Sequence, residues 1–98
     1  MSARLTFSGP VFHWRGPAPF HFVRVPPDET DLIAALAPVV TYGWGMIPVV
    51  ARIGATEWTT SLWPKDGGYL VPIRTAVRHA EDIELDDVVE LVLDIVGS

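Results

Sequence analysis

Cysteine is missing from this chain of 98 residues, which excludes a disulfide-stapled scaffold and any thiolate metal site. Long apolar runs are missing too; none approaches the ~20 residues that a membrane-spanning helix needs, so no membrane partner is expected. The opening MSARLTFSGP lacks a charged stretch leading into an apolar core and a cleavage site. No secretory signal is therefore visible, and a cytoplasmic location is expected. Basic residues are few and unevenly placed. Residues 1–80 hold all 7 of them beside five acids, whereas residues 81–98 hold seven acids and no base. Binding to nucleic acid needs a contiguous basic face that displaces counterions, so no nucleic-acid partner is expected. Catalytic signatures are absent as well. Ser61 has no G-x-S-x-G elbow or nearby His-Asp set. Gly43-Trp44-Gly45 has no following helix or lysine, and Lys65-Asp66-Gly67-Gly68 reads as a hairpin turn, so no phosphate loop exists. No catalytic residue and no cofactor follow from the sequence.

What the chain does have is apolar content, 49% of its residues, enough for one small domain over 1–98 with one core. The stretch Glu57–Ala80 organises it: strand, five-residue turn Pro64–Gly68, strand Tyr69–Val71, Pro72, then a short helix. Ile73, Ala76, Val77 and Ala80 have the i, i+3, i+4, i+7 spacing of its core-facing side. Upstream, Arg4–Trp14 is a strand interrupted at Gly9-Pro10. Arg15–Pro19 is a turn, and Phe20–Val25 a strand. Asp28 is the expected N-cap of a helix that puts Leu32, Ile33 and Leu36 on one face and stops at Pro38. Tyr42–Gly45 reads as a loop and Met46–Ile53 as an apolar strand. Asp87–Val96 is the closing strand, with Val89, Leu91, Leu93 and Ile95 on one face and Glu90 and Asp94 toward water.

The two halves repeat. Trp14, five residues and Phe20 match Trp63, five residues and Tyr69, both aromatics at an offset of 49. Pro26 answers Pro72, and each half runs strand, strand, helix, strand. Such a repeat, over roughly 1–54 and 55–98, predicts a pseudo-two-fold fold whose halves cannot bury their faces alone.

The stretch from Trp58 to Ile95 carries an aromatic ahead of Thr60-Ser61-Leu62, then Pro64, Gly68-Tyr69, a Leu-Pro-like step ending at Pro72, an arginine in the next helix, and Asp87-Val88 opening the last strand. With FHFVRVPPDE and IPVVARIG upstream, it resembles a prokaryotic family of domains of unknown function, DUF1905. The resemblance implies a mainly β, double-split β-barrel capped by two short helices. That barrel is similar to the one of AbrB-like regulators but closed within one chain, so a monomer or weak homodimer is expected. No activity comes with it. One departure is Asp86, where the family has glycine before the aspartate; Asp tolerates a left-handed turn better than most residues.

Three histidines raise the question of a metal. A five-residue loop at 15–19 sets His13 opposite His21, but a zinc site needs three or four protein ligands; no metal is assigned and the pair is left open. His79 flanks its helix. The seven acids of the tail read as a solvated face. Of the four tryptophans, Trp58 shares a strand face with Thr60 and Leu62, and Trp63 shares the other with Glu57, Thr59 and Ser61. One set fills the barrel and the other is free to line a groove. The candidate ligand-binding residues are Ser61, Trp63, Arg74 and Arg78: an aromatic wall, a hydroxyl and two guanidinium forks, suited to a planar or anionic group. In the competing reading both arginines pair with the acids of Glu81–Asp87, an arrangement worth little stability. Three functions stay open: a module binding a small molecule or a protein partner, a DNA-binding AbrB-like regulator, and a small-barrel enzyme acting on an apolar or aromatic substrate.

Overall fold

Alternation builds the wall. In the last strand Val89, Leu91, Leu93 and Ile95 are buried while Glu90 is exposed, the period-2 pattern of a sheet with one dry face. The computed structural model describes residues 3–14, 20–40 and 45–95. In chain order the elements are β1 (Ala3–Trp14), β2 (Phe20–Arg24), α1 (Pro27–Val40), β3 (Ile47–Ile53), β4 (Thr56–Lys65), β5 (Gly68–Ile73), α2 (Thr75–Ala80) and β6 (Val88–Ile95). The six strands close into an antiparallel barrel in the order β1-β2-β5-β4-β3-β6. Closure removes every sheet edge. Val11, Val23, Leu62, Val71, Leu91 and Leu93 are among the fully buried residues that fill it. Exchanging β1 with β4, β2 with β5 and β3 with β6 leaves the strand order unchanged. The internal repeat therefore has a topological counterpart, and the expected mainly β barrel with two short helices is the fold observed.

The interruption at Gly9-Pro10 is a change of partner inside one continuous strand. Up to Pro10, β1 pairs with β6; from Val11 onward it pairs with β2. Proline has no N–H to extend the first ladder. Val11 holds the crossover by donating its N–H to Asp87 O at 2.9 Å and accepting from Asp86 N at 2.8 Å. Asp86 has φ 70, a left-handed conformation that aspartate tolerates better than most residues.

Several local expectations are corrected. The turn between β4 and β5 has two residues, not five, because Lys65 pairs with Gly68. Asp66 (φ 51) and Gly67 (φ 78) take the two left-handed positions that a tight hairpin requires. Trp63 consequently faces Leu70, and Tyr69 faces Pro64. Pro72 does not follow the strand but lies within it, opposite Phe22, and Ile73 is its last, buried residue. Of the four expected core positions of α2 only Val77 is buried within the helix; Ala76 and Ala80 are exposed. Helix α1 begins at Pro27, which suits a first-turn position, so Asp28 sits in the first turn rather than at the cap. It also continues through Pro38 to Val40. Ile33 is buried and Leu36 partly so, but Leu32 points to solvent, 54% exposed. The expected turn 15–19 and the loop at 42–44 lie outside the described residues.

Candidate functional site

The groove begins where β4 and β5 part. Their ladder runs from Lys65↔Gly68 to Trp63↔Leu70, and two residues further on Pro72 offers no N–H with which to continue it. β5 still pairs with β2 there, through Phe22↔Pro72 and His21↔Ile73. The gap is floored by Thr60, Pro72 and Ile73 and flanked by Arg74, Thr75 and Arg78 at the start of and along α2. Its far side is the histidine pair. The cavity measures about 690 Å³.

Strand geometry sets the pair. His13 and His21 are opposite each other in the β1–β2 register. Each lies two residues from a buried core valine, Val11 and Val23, and so shares the inward face of its strand. The imidazole centroids are 5.1 Å apart with the rings tilted by 56°. Burial, then the charges of Arg78 and His13, hold the His21 pKa below its usual value of 6.5. Among the described residues no cluster of three His, Cys, Asp or Glu side chains could hold a metal, so the pair has no third protein ligand there.

The tryptophans divide as the alternation of β4 requires. Trp58 is inside, 9% exposed, and Trp63 is outside, 37% exposed. The Trp63 ring lies 5.1 Å from Phe22, which in turn lies 6.0 Å from Phe12. This aromatic row on the outer face props Trp63 at the edge of the groove.

The two arginines are differently engaged. Arg74 Nη2 donates to the backbone oxygen of Thr59 at 3.2 Å, which anchors the start of α2 to β4. Arg78 Nε is buried and has no hydrogen-bond partner. Among the described residues neither arginine is paired with a carboxylate; the ion pairs are Arg4–Asp94 at 2.9 Å and Lys65–Asp66 at 3.9 Å. Two of the acids that could compete are engaged elsewhere. Glu81 accepts from Thr56 Oγ1 at 2.6 Å, and Asp87 accepts from Glu84 N at 2.8 Å.

Three of the four sequence candidates, Trp63, Arg74 and Arg78, therefore line one cavity. The fourth, Ser61, is half-buried opposite Pro48 of β3 and is not among the described residues lining it. Sequence reasoning treated His13 and His21 as a separate question, and it missed Thr60. The missing signal was the β2–β5 pairing, which carries the histidines next to the end of β5.

A small closed β-barrel with a cationic, aromatic-edged groove at one split is the class that fold and site define. The family described as Domain of unknown function (DUF1905) matches the chain over residues 7–93. The chain belongs to that family. No curated protein matches it.

Proposed function

We propose that the protein is a binding module that holds a small, planar, anionic molecule in the groove between β4, β5 and α2. The observation that carries this reading is Arg78 Nε, buried in the groove region without a partner. A buried donor left unsatisfied costs ~1–3 kcal/mol, and a ligand oxygen would recover that cost. The surroundings agree. Trp63 offers a flat wall, Arg74 and Arg78 offer guanidinium forks that match oxyanions, and no acid is among the described lining residues of a protein whose net charge is −5. Aromatic surface with a few convergent polar groups is how small-molecule sites are commonly lined.

A DNA-binding role like that of AbrB-like regulators has less support, because two arginines beside one groove do not make a stripe that follows a duplex. An enzyme acting on an aromatic substrate would need the histidines as acid and base, and among the described residues no carboxylate lines the groove to orient them. A cytoplasmic location is part of the proposal.

The test is a melting screen with benzoate, naphthoate and phenyl phosphate, read on the wild type and on Arg78→Ala. Ligand at 100 times its Kd stabilises the folded state by ~2.7 kcal/mol, so at least one planar anion should raise Tm, and the variant should lose that rise. A flat response of the wild type to every planar anion at millimolar concentration sinks the reading.

A further inference from the structure

The groove holds more positive potential than a carboxylate can use. Facing it are His13 from β1, His21 from β2, and Arg74 and Arg78 from the segment of α2, while β4 and β5 contribute the uncharged Thr60, Trp63, Pro72 and Ile73. Four groups able to carry positive charge thus meet one cavity with no carboxylate among its described lining. A monoanionic carboxylate is satisfied by one guanidinium fork. It would leave the second arginine without a counter-charge and the imidazoles without an anionic partner.

We propose, resting on the binding-module reading, that the natural ligand carries a dianionic phosphoryl group, which Arg74 and Arg78 grip and which the His13–His21 pair contacts, His21 as the imidazolium. A phosphate monoester has three terminal oxygens and close to two negative charges at neutral pH. Neutral imidazole presents one donor and one acceptor, and its acceptor nitrogen opposes an oxyanion; imidazolium presents two donors. The rings are 5.1 Å apart, and Arg78 and His13 both disfavour a charge on His21. A dianion reverses that balance. Binding at neutral pH therefore takes up protons, which a carboxylate bound by the arginines alone would not do.

Phenyl phosphate and benzoate share a ring and differ in the anion, so they are the probes. Above about pH 7 phenyl phosphate is largely the dianion, since a phosphate monoester has its second pKa near 6. Titration calorimetry from pH 7 to 8.5 should show phenyl phosphate binding about tenfold more tightly than benzoate at the lower end. Its affinity should fall by up to about tenfold per pH unit for each proton taken up. Repeating the pH 7.5 titration in two buffers of different ionisation enthalpy counts those protons on the wild type, independently of any variant. His21→Asn should flatten the slope, and His13→Asn, at an exposed position, should weaken phenyl phosphate more than benzoate. Inorganic phosphate is the third arm: binding as tight as that of phenyl phosphate supports the dianion but assigns the groove to the free ion. Benzoate bound as tightly as phenyl phosphate, or no proton uptake with the phosphate, overturns the inference and leaves the binding module standing. If no probe binds at all, both fall.

Discussion

Replacing Arg78 by methionine should make the free protein more stable. The substitution keeps an unbranched apolar stem, and Met and Arg have similar helix propensity, so α2 itself is little affected. What disappears is the buried Nε donor without a partner, a gain of ~1–3 kcal/mol. What is lost is a positive charge in the last turn of α2, worth ~0.3–1 kcal/mol against the carbonyl end of a helix. The first effect wins, and the net is about 1 kcal/mol. For a domain of this size that is a rise in Tm of ~4–8 °C.

The assay is a reversible thermal melt, with urea unfolding to confirm that the midpoint moves while the m-value does not. Arg74→Met is the control of opposite sign. Its Nη2 is bonded to Thr59 O, so its loss should lower stability by up to about 1 kcal/mol. A residue held for its ligand at the expense of the empty fold is the pattern of a binding site. If Arg78→Met lowers Tm or leaves it unchanged, Nε is satisfied in solution, and the observation behind the proposed function is gone.

Gly54→Ala should cost ~1–2 kcal/mol, because Gly54 sits at φ +58 and an added Cβ would run into the Glu81 carboxylate; unchanged urea unfolding would refute this account of the β3–β4 turn. Asp94, held below its usual 3.8 chiefly by its hydrogen bond from Arg4, should contribute stability that is present above that value and lost as pH falls through the lower folded value. The stability gap between wild type and Asp94→Asn should therefore narrow from pH 5 to pH 2, and parallel curves would show the pair to be silent. Trp63→Ala should weaken phenyl phosphate and benzoate alike, because it removes the wall and not the anion site; an effect on only one of them would place the ring elsewhere.

Much of the barrel was legible because its signals are local and periodic. The alternation in β6 and the division of Trp58 from Trp63 across β4 need only a period of two. The repeat was visible as paired aromatics at one offset, and the β2–β5 ladder respects it: a shift of 49 carries His21–Arg24 onto Leu70–Ile73, the segment they pair with. Register was less legible. Asp66-Gly67 is the tight-hairpin signal, but the flanking Pro64 and Gly68 extended the apparent turn to five residues. Pro72 reads as a stop because proline removes a ladder donor. It is tolerated inside β5 where the ladder to β4 has already ended, and the same gap opens the groove. A strand-breaking residue and the candidate cleft are here one feature, and only the pairing reveals it.

The symmetry of the barrel also sets the proposed site beside its counterpart. Under the exchange of halves, the groove beside β5 and α2 corresponds to one beside β2 and α1, a cavity of about 500 Å³ lined by Ser8, Gly9, Arg24, Val25, Asp31 and Gly68 among others. In that second groove the arginine is already spent. Arg24 donates to the backbone oxygens of Lys65 and Asp66 at 3.1 and 3.2 Å, and its guanidinium lies so close to Gly68 that a Cβ there would meet Nη2 at 2.8 Å. The hairpin end that supplies His13 and His21 to the first groove supplies Gly67 and Gly68 to the second, and the helix supplies Asp31 where the other brings Arg78. Arg24 and Arg74 each tie a guanidinium to backbone oxygen; what sets the first groove apart is Arg78 Nε, buried without a partner. That difference between the splits is what the proposed ligand at the first groove would account for.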